Sequence, residues 1–174
     1  MENSFWIPTL ISVISLAWNY FQSKKIVKLE TDAERKSLIH KYQFEKEFSI
    51  YTDLWAKLVD LKTATVRLRP SLDTTDNSKT EAEVKQERLE NLDTKRFDVV
   101  EAFQKNKPFY SRDIYKEVEG VLKISTNEAI GYAIGRSHQD KYWETAEMNA
   151  KQIVDSMDKI SNLIRRRIEV VEVN

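Results

Sequence analysis

The sequence contains no cysteine, and only three glycines and three prolines among its 174 residues. Without cysteine, a disulfide framework, a thiolate metal site and a cysteine nucleophile are all excluded. Few helix breakers, together with 32% charged and 41% hydrophobic residues, are typical of long amphipathic helices. The 28 basic and 28 acidic residues balance. Since nucleic-acid-binding proteins are usually basic, we expect no nucleic-acid partner.

Motifs that would indicate an enzyme or a bound cofactor are also missing. The two histidines, His40 and His138, lack the Glu-x-x-His spacing of di-iron bundles. Zinc-ligand spacing, a Walker loop and a dinucleotide-binding glycine fingerprint do not occur. Ser137 and Asp140 flank His138 in sequence, but a catalytic triad needs side chains that converge in space. We therefore predict a non-enzymatic protein with no catalytic residue, cofactor or metal.

Charged residues are absent from a long stretch at the N-terminus, residues 3–23. As a helix rising about 1.5 Å per residue, such a stretch covers roughly the 30 Å hydrocarbon thickness of a bilayer. Trp6 lies near one end, and Trp18 and Tyr20 lie near the other, like the aromatic belts at membrane interfaces. We therefore predict a transmembrane anchor over residues 1–23. An interfacial helix or a buried core helix remains an alternative, because polar side chains lower the hydropathy of the stretch.

The flanking charges predict how the anchor is oriented. A cleaved signal peptide would need a basic start and a small-residue cleavage site, and the sequence has neither. Basic residues follow the uncharged stretch at Lys24, Lys25 and Lys28, and none precedes it. The positive-inside rule then places the N-terminus outside and the remaining chain in the cytosol. For a bacterial protein, this predicts a single-pass protein of the inner (cytoplasmic) membrane.

One side of the uncharged stretch is polar. Ser12, Ser15, Asn19 and Gln22 are separated by three, four and three residues, so they align along one helical stripe. Polar groups in hydrocarbon seek partners, and the stripe therefore predicts self-association into a homo-oligomer. The alternative is that the serines bond to their own helix and the amides reach the membrane interface.

The rest of the chain predicts an all-α protein. Residues 24–43 have sparse apolar positions and indicate a helical stalk that continues the anchor, whereas residues 44–174 indicate a cytosolic bundle. Apolar residues recur at spacings of three and four, which is typical of core-facing helices. Matched lengths joined by shorter loops favour an antiparallel four-helix bundle. The predicted bundle helices are 44–69, 79–106, the segment after the cap residue Ser111, and 139–169.

Three consecutive arginines end the fourth predicted helix: Arg165, Arg166 and Arg167. They complement the dipole at a helix C-terminus, where cations are stabilised. Alternatively, they contact the carboxylates of the stalk or the anionic surface of a membrane. The stalk carboxylates in question are Glu30, Asp32 and Glu34. The β-branched tail after these arginines is expected to fray or to add a strand to a partner.

Two small clusters are further candidate sites. Gly131 and Gly135 form a small-xxx-small pair, and each glycine costs up to about 1 kcal/mol in a helix. We predict that close helix packing offsets this cost; a local hinge is the alternative. Aromatic pairs at two helix junctions either close the ends of the core or form a patch that docks a protein partner. These pairs are Phe109 with Tyr110, and Tyr142 with Trp143.

Together these features predict a membrane-tethered interaction module that acts as scaffold, adaptor or sensor. Its expected partners are the lipid bilayer, further copies of the chain and an unidentified protein. The plan resembles that of small bacterial single-pass proteins with a cytosolic helical bundle, which implies no activity. An oligomerising membrane effector of the toxin or defence type is the main alternative. An enzyme with an unrecognised site is the other.

Overall fold

The computed structural model describes residues 6–69, 78–135 and 141–172, without the side chains of 6–17, 33 and 170–172. Within these ranges the chain forms α-helices and one short 3-10 helix, and no strand. The all-α prediction is therefore confirmed. The helices are α1 (Trp6–Val66), α2 (Glu81–Lys105), the 3-10 helix η1 (Lys107–Phe109), α3 (Arg112–Ile134) and α4 (Tyr142–Glu172).

None of the helices in the described ranges is both long enough and apolar enough to cross a bilayer. The transmembrane helix predicted over residues 1–23 is therefore unsupported. Polar side chains dilute the apolar ones in this segment, and the absence of charge alone does not make a helix hydrophobic. These polar residues include Ser12, Ser15, Asn19 and Gln22. Residues 1–5 lie outside the described residues.

The chain divides into two units, Met1–Glu45 and Lys46–Asn174. In the first unit, every described side chain from residue 18 onward is exposed except that of Phe44, which is half-buried. The second unit contains the hydrophobic core, to which all four α-helices contribute. Its fully buried large side chains include Tyr51, Leu54, Leu58, Leu61, Leu92, Val99, Phe103, Ile114, Val118, Ile153 and Ile160.

Neighbouring helices of the second unit run antiparallel. Between α1 and α2, Arg88 Nη1 donates to the Leu68 carbonyl oxygen at 3.3 Å. Further along, Lys95 Nζ lies 3.0 Å from Asp60 Oδ2, so α2 runs back along α1. α2 and α3 are also antiparallel, because Lys85 near the start of α2 contacts the Ala133 carbonyl near the end of α3. α1 and α4 are antiparallel as well, because Glu47 of α1 contacts Arg167 in the last turns of α4. The predicted helical bundle is therefore confirmed.

Side-chain caps define where two of the helices begin. Thr80 precedes α2, and its hydroxyl accepts a hydrogen bond from Glu83 N at 3.3 Å. The Glu83 carboxylate accepts from Thr80 N at 2.7 Å, which completes a capping box. The hydrogen bonds that this carboxylate accepts from Thr80 N and Thr80 Oγ1 lower the pKa of Glu83. Ser111 caps α3 in the predicted way by accepting from Ile114 N at 3.3 Å.

The ends of α1 and α4 differ from the predicted ends. α1 stops at Val66 rather than at residue 69, and a tighter turn follows in which Leu68 N donates to the Thr65 carbonyl at 3.2 Å. Pro70, which disfavours helix in the residue before it, is the physical reason for an early end. α4 continues to Glu172, so the tail expected to fray or form a strand is helical to that point. Residues 70–77 and 136–140, which connect these helices, lie outside the described residues.

Candidate functional site

A buried polar cluster joins three helices at one end of the bundle. Arg69, just after α1, and Glu128 of α3 have side chains only 1% and 4% exposed, and Arg69 Nε lies 2.6 Å from Glu128 Oε1. Asn149 of α4 donates from Nδ2 to Glu128 Oε2 at 2.6 Å. Arg69 Nη1 donates to the Tyr142 carbonyl at 2.6 Å, and the Tyr142 ring lies 4.1 Å from the guanidinium carbon. The cluster therefore ties α1, α3 and the start of α4 together.

The guanidinium of Arg69 is only partly satisfied. Its buried Nη2 has no hydrogen-bond partner among the described residues, and Nε faces Glu128 as an ion pair without hydrogen-bond geometry. Two charges removed from water cost several kcal/mol each, which their mutual attraction offsets only when both stay paired. The cluster is therefore sensitive to the loss of either partner. Sequence analysis missed it because its residues are far apart in the chain and resemble ordinary helix-surface charges.

A cavity of about 370 Å³ lies beside this cluster. Its lining carries charges of both signs, from one arginine and two glutamates, beside the indole ring of a tryptophan. Because the charges of Arg69 and Glu128 pair with each other, the arrangement fits a structural polar core. No group of three or more potential metal ligands occurs in the portion of the chain that the structure describes. The cavity is lined by Thr65, Val66, Arg69, Glu128, Trp143, Ala146, Glu147 and Ala150.

At the other end of the bundle, an ion pair connects α1 with the last turns of α4. Arg167 contacts both carboxylate oxygens of Glu47, through Nη2 at 3.0 Å and Nε at 3.1 Å. The Glu47 carboxylate raises the pKa of Arg167. All three predicted arginines are exposed, and Arg167 pairs within the bundle. Their contact with stalk carboxylates or with lipid remains a prediction.

The predicted aromatic pairs each send one ring inward and one outward. Tyr110 is buried and stacks on Phe103 with ring centroids 5.4 Å apart, whereas Phe109 is 41% exposed. Burial raises the pKa of Tyr110 to about 12. Tyr142 packs against Arg69, whereas Trp143 is 51% exposed. Tyr110 is therefore part of the core, whereas Phe109 and Trp143 are the exposed rings of the two pairs.

The two candidate glycines have different positions in α3. Gly131 lies inside the helix, whereas Gly135 is its C-terminal cap and has a φ of 87°. A Cβ atom added to Gly135 would meet nothing within 4 Å. The backbone conformation therefore favours glycine at this position, since other residues rarely adopt positive φ. Close helix packing at Gly131 remains a prediction.

The first unit presents aromatic and basic side chains without burying them. Trp18 is 66% exposed and Phe21 is 70% exposed. Lys24 Nζ lies 4.8 Å from the centroid of the Tyr20 ring, a cation–π contact. In the polar stripe predicted to mediate self-association, Asn19 and Gln22 are exposed, and the side chains of Ser12 and Ser15 lie outside the described residues. This aromatic and basic surface is the second candidate site.

Comparison with known proteins adds no further assignment. No family model, no curated protein and no solved structure matches the chain. The fold defines an all-α protein, in which the second unit is a helical bundle and the first unit is an exposed helical segment.

Proposed function

We propose that this protein is a non-enzymatic interaction module that the N-terminal part of α1 tethers to a lipid bilayer. One observation carries the proposal: the uncharged residues 3–23 end in exposed aromatic rings and are followed at once by lysines. Tryptophan and tyrosine favour the membrane interface, and lysines favour the anionic headgroups beside it. A helical unit that leaves such rings in water gains free energy by placing them in a bilayer.

The finer form of the proposal is a single-pass protein with its N-terminus outside and its bundle in the cytosol. The polar residues that weaken the apolar character of the segment then need partners within the membrane. Pairing of two or more copies along the stripe of Ser12, Ser15, Asn19 and Gln22 would cover these side chains. Membrane attachment and self-association are therefore expected to depend on each other.

The non-enzymatic part of the proposal is supported by the buried cluster. Arg69 and Glu128 are the buried ionised pair of the bundle, and their charged groups contact each other. Reactive groups of enzymes are instead aimed at a place where substrate can bind. Phe109 and Trp143 are the exposed rings through which we expect the bundle to meet a protein partner.

Flotation of the full chain with lipid vesicles tests the tether. We expect the unmodified protein to float with the vesicles and to resist extraction by alkaline carbonate. The double variant Ile7→Asp and Ile11→Asp should remain unbound, because carboxylates are costly in hydrocarbon. A matched control, Ile130→Asp and Ile134→Asp, places two carboxylates at the same spacing on exposed positions of α3 and should still float.

Two outcomes would overturn parts of this proposal. An unmodified chain that stays in the vesicle-free fraction would exclude the tether altogether. If the chain floats, protease added to sealed inverted vesicles should digest the bundle. Protection of the bundle in that experiment would contradict the cytosolic orientation.

The polar stripe also favours a second candidate, a membrane effector that oligomerises and perturbs the bilayer. Such a protein releases a trapped dye from vesicles, whereas a tethered module leaves the vesicles sealed. The variant Ser12→Leu, Ser15→Leu and Asn19→Leu separates the two functions further. Loss of dye release in this variant, with unchanged flotation, would favour the effector.

A further inference from the structure

We infer that residues 24–36 of α1 form a recognition surface for anionic lipid headgroups, an inference that rests on the proposed membrane tether. The surface consists of the basic side of the helix, with an aromatic and an apolar side chain on the same face. It is named here the basic stripe. Its basic members are Lys24, Lys25, Lys28, Arg35 and Lys36.

The spacing of these residues segregates charge around the helix. With about 3.6 residues per turn, positions four, seven and eleven apart fall on the same side of a helix. Lys24, Lys28 and Arg35 follow the spacing of four and seven, and Lys25 and Lys36 are eleven apart on the adjoining line. All five basic side chains therefore occupy one side of α1.

Acidic residues lie mainly on a different side of the same segment. Glu30 and Glu34 are four residues apart and share a face roughly one-third of a turn from the nearer edge of the basic stripe. Asp32 is the exception, because it falls between Lys28 and Lys25 in the helical projection. Five cations against one carboxylate still leave the stripe strongly positive.

The basic stripe is exposed and is not neutralised by the protein. All five side chains are exposed, and none takes part in an ion pair within the described residues. In the bundle, by contrast, Lys95 pairs with Asp60 and Arg167 pairs with Glu47. The positive charge of the stripe is therefore available to an external anion.

The neighbouring side chains favour a membrane surface over other anions. Trp18, Lys25, Leu29 and Lys36 are separated by seven, four and seven residues, so an indole and a leucine share a face with two lysines. Trp18 and Leu29 are 66% and 60% exposed. Such a face inserts its apolar groups at the headgroup boundary while the lysines reach the phosphates. A nucleic-acid backbone would use the charges and leave the apolar groups unused.

Binding of the full chain to vesicles of two compositions tests the inference. One set is phosphatidylcholine alone, and the other contains about one-third phosphatidylglycerol. At low salt we expect roughly tenfold to hundredfold tighter binding to the anionic vesicles, because each basic residue near an anionic surface adds attraction. High salt should remove the preference, since it screens exposed charges.

Two triple variants assign the preference to the stripe. Lys24→Gln, Lys28→Gln and Arg35→Gln should abolish the preference for anionic vesicles and keep the binding to phosphatidylcholine. The matched control, Lys123→Gln, Lys151→Gln and Lys159→Gln, removes the same charge from exposed positions of the bundle and should keep the preference.

The outcomes distinguish failure of the inference from failure of the proposed function. Equal binding to both vesicle types would overturn the inference while the tether stands. A preference that survives in the stripe variant, or disappears in the control, would overturn the assignment to residues 24–36. Absence of binding to either vesicle type would overturn both the tether and the inference.

Discussion

The two units of this protein are both helical, yet among the described side chains the buried ones all lie in Lys46–Asn174. Residues 9–69 contain no proline or glycine, so both parts of α1 have the sequence that a helix needs. In globular proteins, however, most helical stability comes from the packing of an apolar face. Helix formation and helix packing are therefore separate properties here, and substitutions should affect the two units differently.

The largest expected difference concerns buried charge, which occurs in the bundle and not among the described side chains of the first unit. Arg69→Met should lower the free energy of unfolding by about 3 to 5 kcal/mol, because Glu128 is left buried without its cation. Urea unfolding of the full chain measures this change. The double variant Arg69→Met and Glu128→Leu should recover much of the loss. If the single variant is as stable as the unmodified protein, the pair is not buried as described.

The next largest difference concerns apolar side chains of the same type in the two units. Leu58→Ala in the fully buried core should cost about 2 to 5 kcal/mol, through lost transfer free energy and the cavity left behind. Leu29→Ala in the first unit should change the free energy of unfolding by less than about 0.5 kcal/mol, because Leu29 is exposed. Equal losses in urea unfolding would contradict the contrast between the units.

Alkaline pH should weaken the bundle through Tyr110. Burial raises the pKa of Tyr110 to about 12 from a usual value of 10.0. Between these values the folded protein holds a proton that the unfolded chain has released, so stability falls as pH rises. Once the pH exceeds both values, the titration of Tyr110 lowers the free energy of unfolding by an amount on the order of 2 kcal/mol. Tyr110→Phe should show a shallower fall in stability across this range than the unmodified protein, as measured by urea unfolding at each pH.

The smallest expected difference concerns threonines with different local roles. Thr80→Ala removes the cap of α2 and should cost about 1 kcal/mol, whereas Thr80→Ser should keep most of the stability. In the first unit, the Thr31 hydroxyl donates to the Val27 carbonyl within the helix, at 2.8 Å. Thr31→Ala should therefore cost nothing, because alanine is the better helix former. Thermal unfolding of the three variants compares the two positions.

Local patterns in the sequence predicted much of the bundle. Apolar residues at spacings of three and four indicated the core-facing helices, and a serine before Asp113 indicated the cap of α3. Such signals depend on residues that are close in sequence. The same reasoning failed for the N-terminal segment, where the absence of charge was taken as a sign of high hydropathy. A segment without charge is not always a segment of high hydropathy.

Contacts between distant parts of the chain could not be predicted. Arg69 and Glu128 are separated by 58 intervening residues in sequence, and both look like ordinary polar residues of a helical surface. The cap role and positive φ of Gly135 could not be predicted either, because a glycine pair has the same spacing in a packed helix and at a helix end. Only the folded bundle shows which charges are buried and which glycine needs positive φ.

Through the Arg167–Glu47 pair, the last turns of α4 stabilise the part of α1 where the bundle begins. Glu47 lies close to Tyr51, whose hydroxyl donates to the Phe109 carbonyl at 2.9 Å. A cut in the backbone ahead of Arg167 would thus loosen α1 and the η1 junction together, although neither is near the cut in sequence. A partner protein that binds the exposed Arg165 and Arg166 would weaken the Arg167–Glu47 pair in the same way.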